Sequence, residues 1–164
     1  MQGGLEHHVG TRRGYPQYRV RVDMTEARAP GKAILFGEHA VVYGHPAVAV
    51  AIEAGVKVTI SDNKEWAVEG RPLDSVRHPH LKSIVSRMPQ GSGPYSFQIS
   101  SSLFSAAGQG SSAALSVAAH LALSNQIGES SNLIDAAKSA HLAEAAAQSG
   151  RASPTDTATS ACLL

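Results

Sequence analysis

The sequence predicts an α+β fold, a mixed sheet packed on helices, and three observations lead there. A chain of 164 residues with 43% hydrophobic content has the size of one domain and enough apolar side chains to bury a core. Apolar residues recur with the strand period of two in segments between Lys32 and Ser100, and with the helical period after Gly110. Strands gathered early and helices late argue against a doubly wound parallel sheet, in which the two would alternate.

In chain order, residues 1–23 mix glycine, paired His7/His8, Arg12/Arg13 and Pro16 without a sustained period, and are expected to be a flexible extension ahead of a domain spanning 24–164. "KAILFGE" reads as a strand entering a turn, and "AVAVAIEAGVKVTISDN" as a long Val- and Ile-rich strand. "EWAVEG" alternates as the expected hairpin partner of that long strand before "RPLD" turns the chain. "DSVRHPHLKSIVSRMPQ" carries helical spacing interrupted by Pro79, and "YSFQIS" alternates again. Two helices follow, Ser111 to about Gln126 and about Asn132 to Gln148, the second opened by the Asn132-x-x-Asp135 capping pattern.

Charge narrows the class of partner. A net charge of +1 with both signs interspersed leaves no basic footprint for nucleic acid or an anionic membrane surface. No apolar run reaches the ~18 residues of a membrane span. The single cysteine, Cys162, excludes an internal disulfide and reads as a small buried apolar residue, and a cytoplasmic location is the expectation.

The glycine-rich stretch "AAGQGSSAALSVA" raises the first chemical question. A helix starting at Ser111 leaves the N–H groups of Gly110, Ser111 and Ser112 free at the positive end of its dipole, which suits a phosphate. The Walker lysine and the third glycine of a dinucleotide loop are both missing, so the spacing leaves open a plain turn with Ser111 as N-cap. On the next helix Leu133, Ala137, Ala140 and Glu144 follow i, i+4, i+7, i+11 spacing, so Glu144 continues an apolar stripe and needs a partner or a metal. A salt-bridged helix-end glutamate is the alternative. Asp156, after Pro154 and Thr155, reads as an acid in the first turn of a helix.

Three segments together resemble one family. "APGKAILFGEHAVVYGHPAVAV", the loop "AAGQGSSAALSVA" and "QSGRASPTDTATS" are similar, in order and spacing, to the three N-terminal signatures of the GHMP small-molecule kinases, and most similar to the mevalonate kinases of archaeal type among them. The resemblance covers roughly Arg28 to Ala161. It implies a ribosomal-protein-S5-domain-2-like fold and ATP- and Mg²⁺-dependent phosphorylation of the mevalonate 5-hydroxyl. Within the class, phosphomevalonate kinase matches "GEHAVVYG" less well; a non-catalytic remnant that binds nucleotide or a partner protein is the reading from another class.

Residue roles follow from the same resemblance. Lys32 is implied beside the transferring phosphoryl group, where a fixed cation stabilises charge, and it supplies what the loop lacks. Asp156 is implied as the catalytic base. Ala106, Ala107, Gly108, Gln109, Gly110, Ser111 and Ser112 are implied to cradle the nucleotide, Ser112 and Glu144 to hold Mg²⁺, and Glu38 and His39 to lie near the mevalonate pocket. Without that context Lys32 would be an ordinary solvated lysine at a strand end.

The chain departs from the pattern in places. Gln109 stands where the family has leucine, and Phe104 and Ser105 where it has a proline-led approach. Ser149 reads as one extra residue between Glu144 and Asp156, to be absorbed by a local bulge or to shift Asp156 off line. After "TATSA" the family continues into a second domain, so this chain reads as an N-terminal half whose exposed apolar face is expected to favour self-association or a homodimer.

Overall fold

The computed structural model describes residues 24–39, 43–104, 107–150 and 152–162, so the expected extension 1–23 lies outside the described residues. Strand β1 (Met24–Phe36) pairs antiparallel with β2 (Val48–Asp62), Met24 opposite Ser61 and Pro30 opposite Gly55. Val56, Val58 and Ile60 point to the covered face and are buried, while Lys57 between them is exposed and pairs with Glu26 at 3.2 Å. Between Pro30 and Gly31 the register shifts, Gly31 facing Ile52, so Glu53 and Ala54 bulge out of the ladder. The bulge sits one residue before Lys32.

The five-stranded sheet runs β1-β2-β5-β3-β4, with β3 (Ala67–Val68), β4 (Arg71–Pro72) and β5 (Tyr95–Ser101). Here the sequence expectation is corrected. On the side away from β1, β2 is flanked by β5, antiparallel with Val58 opposite Ile99, and "EWAVEG" contributes only β3, which pairs parallel to β5. Seven alternating residues with Phe97 fully buried cover β2 better than two can. Trp66, just before β3, stacks on Phe97 at 6.0 Å and meets Tyr95 edge-on at 5.4 Å, closing that end of the core.

Helix α1 (Pro79–Val85) begins at its proline, which needs no N–H partner there, and buries Leu81 and Ile84. Helix α2 (Ser111–Ile127) is apolar around most of its circumference, with Ala113, Ala114, Val117, Ala118, Ala122 and Leu123 buried. Such a helix belongs in the centre. It packs on β1 and β2 on one side and on α3 (Leu133–Ala147) and α4 (Pro154–Ala161) on the other. Its alanines keep the layers close.

Asn132 caps α3 as its spacing predicts, accepting from the Asp135 N–H at 2.9 Å. The buried stripe of α3 is rotated from the expected one. Ala136, Ala140, Ala143 and Glu144 face inward, whereas Leu133 is exposed, because small residues at i, i+4, i+7 allow the closest approach to α2. Glu144 remains on the buried side. Cys162, expected buried, is exposed at the end of α4. No helix among the described residues is long and apolar enough to cross a membrane.

Candidate active site

The glycine loop lies directly against β1 at Lys32. The Lys32 N–H donates to the Gln109 carbonyl at 2.9 Å, tying the loop to the strand just past the bulge. Side chains are excluded from that contact: a Cβ on Gly31 would stand 2.5 Å from Leu103 Cδ2 and 2.9 Å from the Gln109 carbonyl oxygen, and one on Gly110 would stand 2.9 Å from Lys32 Cγ. Gly110 also has φ +71°, the left-handed region, as the N-cap of α2. Gly110 rather than Ser111 is therefore the cap, and with no side-chain cap the first N–H groups of α2 stay available to an anion. The Gln109 side-chain carbonyl accepts from the Phe104 N–H at 3.0 Å, bracing the loop.

Two side-chain pairs lie at this junction, one an ion pair and one a hydroxyl donating to a carboxylate. Lys32 is only 7% exposed, and its Nζ is 3.2 Å from Asp156 Oδ1. Asp156 is set by the start of α4: Ser153 is the N-cap, accepts from the Asp156 N–H and donates its hydroxyl to Oδ1 at 3.2 Å, with Pro154 at the first helical position. The N-termini of α2 and α4 thus both reach Lys32.

The second pair is Ser112 and Glu144. The Ser112 hydroxyl donates to Glu144 Oε2 at 2.8 Å, and the carboxylate is 5% exposed. Three further groups surround it. Ser116 donates to Oε1 at 3.3 Å, Gln148 Nε2 donates to Oε2 at 2.7 Å, and His80 Nε2 lies 3.1 Å from Oε1. Burial pushes the Glu144 carboxyl up, but His80, Ser112 and Ser116 outweigh it and hold the group below the ordinary glutamate value of 4.5. A depressed folded pKa contributes stability that is present above the unfolded value and lost as pH falls through the folded one. Acidification from pH 6 to below 4.5 is expected to lower the melting midpoint of the native chain more than that of Glu144→Gln; equal losses would remove Glu144 from the acid limb.

The structure brings most of the residues named from the sequence into one cluster. Lys32, Gly108, Gln109, Gly110, Ser111, Ser112, Glu144 and Asp156 come together around the loop, and Ala107 is exposed at its edge. Ala106 lies outside the described residues. Glu38 and His39 are not part of the cluster: both are exposed in the turn after β1 and hydrogen-bond to none of the described residues. Sequence reasoning missed Ser116, Gln148 and His80. Ser116 and Gln148 stand four residues after Ser112 and Glu144, so helical spacing signals them. Nothing in the sequence ties His80 to Glu144.

Ser149 sits in the closure that ends α3. It takes φ +53° after the Gln148 C-cap, and the Gly150 N–H returns to the Ala145 carbonyl at 2.8 Å, a Schellman closure with serine in the place that favours glycine. Asp156 still meets Lys32. Ser149→Gly is accordingly expected to raise stability by about 0.5–1 kcal/mol in denaturant titration, through relief of left-handed strain. A loss of stability would contradict the closure.

Side by side, the Ser112 hydroxyl and an ionised Glu144 are hard oxygen donors of the kind Mg²⁺ takes, alongside water and phosphate oxygens. The N-terminal-domain profile of the GHMP kinases matches residues 79–163. The chain belongs to the GHMP kinases. This GHMP kinase domain is 38% identical over 145 residues to a mevalonate kinase of Methanothermobacter thermautotrophicus, covering 83% of this chain and 47% of the relative. Among solved structures it matches mevalonate kinase from methicillin-resistant Staphylococcus aureus MRSA252 (31% identity, TM-score 0.67, 85% of this chain and 50% of that one). It also shares its fold with L. major mevalonate kinase in complex with R-mevalonate (22% identity, TM-score 0.71, 85% and 48%). The chain spans about half the length of these relatives.

Proposed function

We propose that this domain carries the phosphoryl-transfer residues of an ATP- and Mg²⁺-dependent mevalonate kinase that phosphorylates the mevalonate 5-hydroxyl. The observation that carries the reading is the buried Lys32 held 3.2 Å from Asp156 directly beneath the glycine loop. A structural ion pair alone would not need both helix N-termini, a glycine loop and a second oxygen-donor pair around it. The names of the relatives support mevalonate as the substrate.

In this reading the N–H groups opening α2 hold the ATP phosphates, and the loop carbonyl of Gln109 keeps Lys32 in register with them. Asp156 accepts the proton of the substrate hydroxyl as its oxygen bonds to the γ-phosphorus and ADP leaves. Lys32 sits where negative charge grows on the attacking oxygen and the phosphoryl group. Ser112 and Glu144 are the chain's ligands for Mg²⁺, which when bound neutralises phosphate charge. Glu38 and His39 are assigned to the mevalonate side on sequence resemblance.

Because the relatives are about twice as long, turnover is best measured in a chimera of this chain with the C-terminal half of the Methanothermobacter relative. Production of ADP that depends on both mevalonate and Mg²⁺ is expected, with little from phosphomevalonate. A folded chimera that binds ATP but phosphorylates neither would sink the proposal.

A further inference from the structure

We propose that His80 is a positioning residue for Glu144, fixing the carboxylate so that Oε2 and the Ser112 hydroxyl face the cation. The proposal rests on the reading of Ser112 and Glu144 as Mg²⁺ ligands. Its basis is how the two carboxylate oxygens are divided. Oε2 is held by Ser112 at 2.8 Å and by Gln148 at 2.7 Å. Both are adaptable partners: a hydroxyl can rotate to offer a lone pair, and Gln148 is an exposed side chain at the end of α3, free to withdraw. Were a cation held at Oε2, Ser112 and Gln148 would give up the contacts that hold that oxygen here.

Oε1 keeps its partners. Ser116 reaches it at a long 3.3 Å, and His80 Nε2 stands 3.1 Å away. That nitrogen is buried, lacks the alignment of a hydrogen bond and has no other partner among the described residues, so the carboxylate is the one group it serves. Its backbone is firmly placed. His80 follows Pro79 in the first turn of α1, with Leu81 and Ile84 anchored in the core and α1 packed on α3, the helix that bears Glu144. Partners of this kind behind a metal ligand typically control metal affinity by 10–100-fold.

The test uses the 164-residue chain, Mn²⁺ as the probe cation and a non-hydrolysable ATP analogue, with free Mn²⁺ followed by electron paramagnetic resonance. His80→Ala is expected to weaken Mn²⁺ binding in the ternary complex about tenfold, and to leave metal-free nucleotide binding unchanged. His80→Gln places an amide nitrogen near the Nε2 position and is expected to recover most of the loss; His80→Asn, of like polarity but too short, is not. A merely structural role would affect Gln and Asn alike, so equal Mn²⁺ affinities for these two overturn the proposal even if His80→Ala does not fold. Native-like affinity in a folded His80→Ala overturns it while leaving Ser112 and Glu144 as ligands. A native chain that binds the analogue but takes no Mn²⁺ overturns the ligand assignment and this proposal together.

Discussion

Asp156→Asn is expected to lower kcat for mevalonate phosphorylation by about 10³-fold in the chimera, with the KM for ATP changed little. The asparagine amide keeps the shape and can still accept from the Ser153 hydroxyl, so the start of α4 is preserved. What it loses is the ability to take a proton and to counter the charge of Lys32, 3.2 Å away. Positioned general bases contribute about 10²–10⁴-fold, and the middle of that range suits a group that also orients the hydroxyl. Steady-state kinetics with ATP and mevalonate varied independently checks it, alongside a melting curve, since Lys32 is left buried without its counter-charge. A well-folded variant with native kcat would make Asp156 a helix-capping acid and nothing more.

How much of this was legible in the sequence depends on the range of the signal. The glycine loop, the Asn132 cap and the Pro154 start are local patterns, each set by backbone chemistry within four residues, and each appears where the spacing puts it. Sheet order is not local. "EWAVEG" and "YSFQIS" both alternate, and only the burial of Phe97 and the packing of Trp66 across it decide which lies beside β2. The stripe of α3 illustrates the same limit on a helix: Leu133 fits the period, but alanines set the approach to α2, and the register of that contact depends on the partner helix. Glu144 was found because a lone carboxylate on an apolar face demands company. Which company it keeps, His80 from a short helix 64 positions earlier, required the fold.

Lys32→Met is expected to lower kcat by about 10²-fold or more, and the way it combines with Asp156→Asn is the sharper test. Methionine fills nearly the same volume along a stem that already abuts Gly110, so the loop and its Gln109 contact should survive. Lost is a fixed cation in a water-poor site, a contribution of roughly 3 kcal/mol to transition-state stabilisation in comparable electrostatic groups. If Lys32 and Asp156 acted independently, their losses would multiply to about 10⁵-fold. They share one contact, and the base is useful only while the lysine biases the hydroxyl toward alkoxide, so the pair should behave as a unit. The double variant is therefore expected to be about as slow as Asp156→Asn alone. Single-turnover rates for the two single variants and the double variant decide this: multiplicative losses would mean that the contact seen between the two side chains is not the arrangement that performs the chemistry.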